Sequence, residues 1–290
     1  MTHTPHPTKG IALIMSATLF FALADTVTKH LAASYPVSVI VLARYMVNVA
    51  VLMALLYPVH GGGLWRTQRT GLVLLRALCL CAASLTMAMA LRLMPVGEAV
   101  SIAYMAPFVV MLLAMPLLGE KISLWGWIGA SLGFAGVLLV ARPGADLDPW
   151  GVALCLTNAG FAAAYNLLSR SLSRSETTHA LVFNTATVGV VVFTVLSLRD
   201  LPMALPGWRD TGLMLLLGLL MTAGHMLFTA AFREAPASLL APVTYVQIFW
   251  AGGFGWLIFD HMPDGLTQVG MALVMLAGVL VALRSHLTRG

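Results

Sequence analysis

Asp25, Arg44, Glu98 and His225 each stand inside a long apolar run. An ionisable group in such a run is costly unless it is paired or faces water, so each is a candidate for binding substrate or for a buried structural bond. Asp25 falls 15 residues after Gly10, roughly 22 Å along a helix rising 1.5 Å per residue. There it lies near a membrane midplane, where it could take part in transport, or it could form an i, i+4 ion pair with Lys29. Arg44, about 12 Å past Pro36 on the same scale, could bind a carboxylate; its structural alternative is a bond to Asp25 or to backbone carbonyls. Glu98 lies in the turn after Pro95, where a carboxylate complements a helix dipole and the structural role is favoured. His225 could hydrogen-bond a substrate, titrate, or satisfy a neighbour.

Aromatic residues give a second set. Tyr104 and Tyr245 follow Pro95 and Pro236 at the same spacing, about 13 Å into their helices. With Tyr165, Phe228 and Trp250 they could build an amphipathic wall for a zwitterion with an apolar side chain, or pack as plain core. Pro107, Pro242 and the Gly252-Gly253-x-Gly255 run could bend the helices that carry them, or the glycines could serve close packing. Gly129-Ala130-Ser131-Leu132-Gly133 spells a nucleophile elbow, but that motif needs a strand–turn–helix. Inside an apolar helix it reads as small residues for packing. No zinc-protease or Walker pattern occurs, and Cys79, Cys81 and Cys155 all fall within apolar runs as small core residues. No metal, cofactor or enzymatic activity is expected.

The elements that carry these residues follow from composition. The chain has 290 residues, 60% hydrophobic and 9% charged, with mean hydropathy +0.91. Soluble domains carry roughly 25% charged residues, so lipid must be the solvent. The +5 charge comes from basic residues spread singly, which excludes a nucleic-acid surface. Ten runs are long enough to cross roughly 30 Å of hydrocarbon as helices: 10–31, 37–57, 70–92, 96–118, 124–141, 151–169, 179–198, 211–232, 237–259 and 267–284. The first reads as a retained helix, not a signal peptide. Lys9, Arg66, Arg69, Lys121, Arg170, Arg174, Arg233, Arg284 and Arg289 lie on one side, against Lys29, Arg92, Arg142, Arg199 and Arg209 on the other. Positive loops stay inside, so both termini are expected in the cytoplasm. Trp65, Trp125, Trp150 and Trp208 at helix ends fit an interfacial belt.

The chain also repeats itself. An offset of 141 residues carries Gly10, Phe20, Ala90, Arg92, Pro95, Tyr104 and Phe108 onto Gly151, Phe161, Ala231, Arg233, Pro236, Tyr245 and Phe249. It sets Asp25 against Asn166, and one inserted residue later aligns Ala135-Gly136-Val137-Leu138 with Ala277-Gly278-Val279-Leu280. Five helices per half is an odd number, so the halves, 10–141 and 151–284, must enter the membrane from opposite faces. Such inverted repeats suit alternating access.

Ala90-Leu-Arg-Leu-Met-Pro95 with Tyr104 and Pro107, then Leu118-Gly119-Glu120-Lys121 and the Gly129–Gly136 helix, resemble the drug/metabolite transporter superfamily in its ten-helix EamA-type branch. The second half departs from the pattern, with Phe259-Asp260-His261 in place of another Leu-Gly-Glu and Ile248 in place of a proline. The resemblance implies an all-α inner-membrane secondary transporter, a monomer or weak homodimer in lipid, with a central cavity flanked by peripheral fifth and tenth helices. Within the superfamily the chain resembles bacterial exporters of aromatic and other neutral amino acids, and similar members often carry an arginine at the position of Arg44. The candidate substrate residues are therefore Asp25, Arg44, Tyr104, Tyr165, Asn166, His225, Phe228, Tyr245 and Trp250. Efflux of cationic drugs is the competing transport reading, with Asp25 as its deep carboxylate; an intramembrane enzyme or scaffold is the alternative of another class.

Overall fold

A computed structural model describes residues 6–118, 124–142, 146–172, 175–200, 206–235, 240 and 243–287. Every regular element among them is helical. Pro7 opens α1 (Pro7–Ala32), where its missing N–H is no loss. Pro36 precedes α2 (Val37–His60), and a 3₁₀ turn at Gly61–Leu64 leads towards α3 (Thr70–Leu93). Then come α4 (Val96–Ala103), α5 (Ala106–Leu118), α6 (Leu124–Val140), α7 (Pro149–Leu172) and α8 (Thr178–Ser197). The chain continues through α9 (Trp208–Glu234), α10 (Val246–Phe259) and α11 (Gly265–Leu287).

Six helices are long and apolar enough to span a membrane, and four shorter apolar stretches accompany them. Their outer faces carry bare leucine and valine, such as Leu74, Leu75, Leu78, Val195 and Leu257. Water would not tolerate that continuous surface; acyl chains do.

The fourth expected span, 96–118, is two helices. Pro107 explains the division, because its ring clashes with the carbonyl of residue 103 and it has no N–H to bond there. The chain turns at Tyr104-Met105 and restarts as α5.

Packing pairs elements from the two parts of the chain: α1 lies on α9, α3 on α7, α2 on α8, α4 on α10 and α6 on α11. Glycine allows the closest of these approaches. A Cβ on Gly136 would stand 2.8 Å from the carbonyl oxygen of Gly270, and one on Gly270 would stand 2.7 Å from that of Gly136. The elbow-like motif is thus part of the packing helix α6, with Gly133 beneath the ring of Phe108. Elsewhere rings lie on glycines too: Tyr45 on Gly189, Phe21 on Gly224 and Tyr245 on Gly278. The three cysteines are buried and free.

Polar ties cluster at the two ends of the bundle. At the N-terminal end Lys9 pairs with Glu234 at 2.6 Å, and buried Glu176 accepts from the backbone N–H groups of Gln68 and Arg69. At the far end the Tyr35 hydroxyl donates to Asp210 at 2.6 Å, which raises the Tyr35 phenol above its ordinary value, and Ser38 donates to Asp200. Arg142 pairs with Asp264 there, and His261 with Glu98 at 2.8 Å.

Candidate site between the broken helices

Tyr104 marks the break between α4 and α5, and its repeat mate Tyr245 marks an equivalent turn. Helical residues Val243 and Thr244 precede Tyr245, and α10 follows it. The second turn forms without a proline: Ile248 donates its N–H to Tyr245, one residue short of the α-helical partner Thr244. The Thr244 carbonyl thereby faces another donor, the Tyr104 hydroxyl, at 2.7 Å. The same hydroxyl lies 3.1 Å from Oε1 of Gln247. Nε2 of Gln247 donates to Asp25 at 3.2 Å. Asp25 on α1 is in this way wired to both helix breaks, through a glutamine that sequence reading did not single out.

The i, i+4 pair of Asp25 with Lys29 does not form. Lys29 instead donates to the carbonyls of Leu91 and Met94, at 3.0 and 2.7 Å. These oxygens end α3, where the helix leaves carbonyls unpaired and its dipole favours a cation. Glu98 keeps the expected place in the first turn of α4, 3% exposed, with His261 as its partner.

Arg44 donates to the Ser84 hydroxyl at 2.6 Å and lies over the ring of Tyr45, 4.8 Å from its centroid. Among the described residues it makes no ion pair. Tyr165 serves a second arginine. Arg76 donates to its hydroxyl at 2.7 Å and stacks 4.4 Å from its centroid. Arg76, near the start of α3 and not among the sequence candidates, is buried in the structure.

His225 and Asn166 are exposed although they share helix faces with buried residues: Gly218 and Thr222 for His225, Ala159 and Ala163 for Asn166. Positions seven and three or four residues apart lie on one face, so both open onto the interior. His225 rests on Phe21 with ring centroids 4.9 Å apart. Phe228 packs instead in a cluster with Ile14, Ala231, Ala235 and Leu240, 6.2 Å from Phe21. Trp250 stands against Phe249, and its indole Nε1 is buried with no hydrogen-bond partner. Tyr104 and Tyr245 meet, and Trp250 packs against the same core cluster, whereas Phe228 lies in another cluster and Tyr165 lies under Arg76. Asn158 was also missed: buried, it donates to the Ala83 carbonyl at 2.7 Å.

A cavity of about 830 Å³ opens at the far end, between Tyr35, Ser38, Met89, Arg92 and Trp150. Its lining on α3 runs down to Leu85, the residue after Ser84.

The chain as a whole is matched by known proteins. The EamA-like transporter family profile fits residues 8–142 and again residues 149–284. The chain belongs to the EamA-like transporter family. As a member it is a membrane transporter, not an enzyme. A pseudopaline exporter of Pseudomonas aeruginosa is 28% identical, over 94% of this chain and 95% of that protein. A riboflavin transporter of Vibrio cholerae is 25% identical over 94% and 92% of the two chains. An S-adenosylmethionine uptake transporter of Rickettsia bellii is 23% identical over the same shares. A solved crystal structure shares the fold at TM-score 0.70 and 17% identity, covering 98% of this chain and 99% of that one. This EamA-like transporter therefore has relatives that export metabolites and relatives that import them.

Proposed function

We propose that this EamA-like transporter exports small amino acids, neutral and aromatic ones among them, or related metabolites, across a bacterial inner membrane. The observation that carries the reading is the pair Asp25 and Arg44. Opposite charges stand inside the bundle without bonding each other, and each is held by a neutral group, Gln247 and Ser84. Two charged groups kept apart in this way suit a zwitterion, its amine at Asp25 and its carboxylate at Arg44, where charge-assisted bonds are strong. The rings of Phe21, Tyr104 and Tyr245 supply apolar surface for a side chain. A lipophilic cation has less to recommend it, because Arg44 would repel it.

The transport cycle is alternating access by two inverted five-helix halves, 10–141 and 151–284, ten spans in all, with both termini cytoplasmic. Three observations support this. The sequence pairs Tyr104 with Tyr245 at one offset, and both lie at helix breaks. The packing of α1 on α9 becomes that of α7 on α3 when the halves are exchanged. Broken helices at a repeat interface are a common site of substrate and ion binding in secondary transporters. We take the unit to be a monomer or weak homodimer in lipid.

Counterflow of labelled phenylalanine into proteoliposomes tests the substrate class. Uptake above empty liposomes, driven by unlabelled phenylalanine inside, is expected. Uptake of a labelled lipophilic cation with no amino-acid counterflow would reverse the assignment.

A further inference from the structure

Arg76 is the buried group to which the zwitterion reading gives no task. It is 5% exposed and commits four N–H groups. Nε donates to Ser169 at 2.6 Å, Nη1 to the Leu181 carbonyl at 3.2 Å and to Thr185 at 2.7 Å, and Nη2 to Tyr165. All four acceptors are neutral oxygens, and one Nη2 hydrogen is left over. A guanidinium keeps its proton under all conditions a protein meets, so a full positive charge is enclosed here.

Ion pairs at the bundle ends include Lys9–Glu234, Arg142–Asp264 and His261–Glu98. Apart from these pairs, Arg44 on α2 and Arg76 on α3 are cations held by neutral partners, and Asp25 on α1 is a carboxylate held by Gln247. A zwitterion is neutral and leaves that surplus in place. A second carboxylate on the substrate removes it.

We propose that the site selects amino-acid derivatives carrying a second carboxylate, bound with one carboxylate at Arg44, the amine at Asp25 and the other carboxylate at Arg76. The inference rests on the amino-acid reading above and narrows it. Ser84, which holds Arg44, and Arg76 stand on the same helix, about 12 Å apart along its axis. His225 opens onto the interior. The spare Nη2 hydrogen is the donor that a carboxylate can take, and its charge strengthens that bond.

Glutamate against glutamine, and aspartate against asparagine, change the charge at almost constant shape. Counterflow with these four and phenylalanine, in wild type, Arg76→Gln and Arg76→Lys, tests the proposal. The wild type should favour each acid over its amide by about tenfold, the scale of one charge-assisted bond. Arg76→Gln should bring that ratio near one, and Arg76→Lys, which keeps charge but not the fork, should fall between. Monodispersity in detergent checks folding, and the wild-type ratio stands whether or not a variant folds. Equal transport of acids and amides overturns the proposal and leaves the amino-acid reading intact. A preference that survives Arg76→Gln overturns the assignment to Arg76. Failure to move any of the five overturns both.

Discussion

Tyr104 and Tyr245 meet ring to ring, their centroids 4.9 Å apart and their planes tilted by 44°. Each stands where its helix is interrupted, and the hydroxyl of the first closes the gap left by the interruption at the second. The two rings are not equivalent in their bonding. Tyr104 donates a hydrogen bond to a backbone oxygen, whereas the Tyr245 hydroxyl has no hydrogen-bond partner among the described residues.

That difference separates two conservative substitutions. Tyr104→Phe removes the hydroxyl that bonds the Thr244 carbonyl and Gln247, and a lost hydrogen bond costs about 0.5–1.5 kcal/mol. Counterflow should fall roughly tenfold. Tyr245→Phe should stay within about twofold of wild type, since it removes no bond. Equal losses in both would show that the hydroxyls matter for something other than the helix break.

Gly278 sets the seat of the Tyr245 ring. A Cβ there would lie 2.0 Å from a ring carbon, while one on Gly253 meets nothing within 4 Å. Overpacking of this kind costs about 1–3 kcal/mol. Gly278→Ala should lower the detergent melting temperature and slow transport, and Gly253→Ala should do neither. Comparable melting curves for the two would mean that the ring moves aside freely.

Arg44→Gln keeps a hydrogen-bond donor for Ser84 but removes the charge. Phenylalanine counterflow should drop by more than about tenfold, the loss expected of a charged partner, with membrane levels unchanged by immunoblot. Ser84→Ala should cost only a few-fold, because it leaves the guanidinium in place. A small effect of Arg44→Gln would move the carboxylate site elsewhere.

Asp264 caps α11 by accepting the Thr267 N–H at 2.8 Å and also pairs with Arg142. Those hydrogen bonds from Thr267, then the guanidinium, hold its carboxyl below the ordinary aspartate value. A lowered pKa stabilises above the unfolded value, near 3.9, and the stabilisation fades as pH falls through the lowered one. Asp264→Asn, which can still cap, should melt below wild type at pH 7, and the gap should close in acid. A gap that persists undiminished in acid would leave the charge no part in it.

Orientation has its own test. In a variant lacking Cys79, Cys81 and Cys155, an impermeant maleimide applied to intact cells should label Arg209→Cys and spare Arg66→Cys. Both positions are exposed in the structure. The reverse pattern would invert the topology.

Much of this could be read in the chain itself. Apolar run length located the helices, and Pro107 announced a disturbance in the fourth span, though not that it would end one helix and begin another. A proline reports a lost N–H; whether the helix bends or stops depends on what receives the freed carbonyl. Lys29 misled for a related reason. Its spacing from Asp25 is that of an ion pair, but the end of α3 offered carbonyls that no pattern within α1 could reveal. Gln247 and Asn158 gave no signal, because a lone amide in an apolar run has neither charge nor motif. Arg76 was passed over because a cation so near the start of an apolar run looks like a loop charge, and only the packing of α7 and α8 on α3 encloses it.

The rings laid on glycines have a mechanical consequence. Helices usually interlock, ridge into groove, so that turning one past another forces side chains over each other. A flat ring on a residue without a side chain has no ridge to climb. Two such contacts, Phe21 on Gly224 and Tyr45 on Gly189, join the part of the chain before residue 142 to the part after residue 149. In the proposed cycle they would act as bearings, at which α9 and α8 swivel against α1 and α2 without changing a rotamer. Any substitution that adds a methyl to either glycine would turn a bearing into a detent, and would act on the rate of the cycle before it acted on the affinity for the cargo.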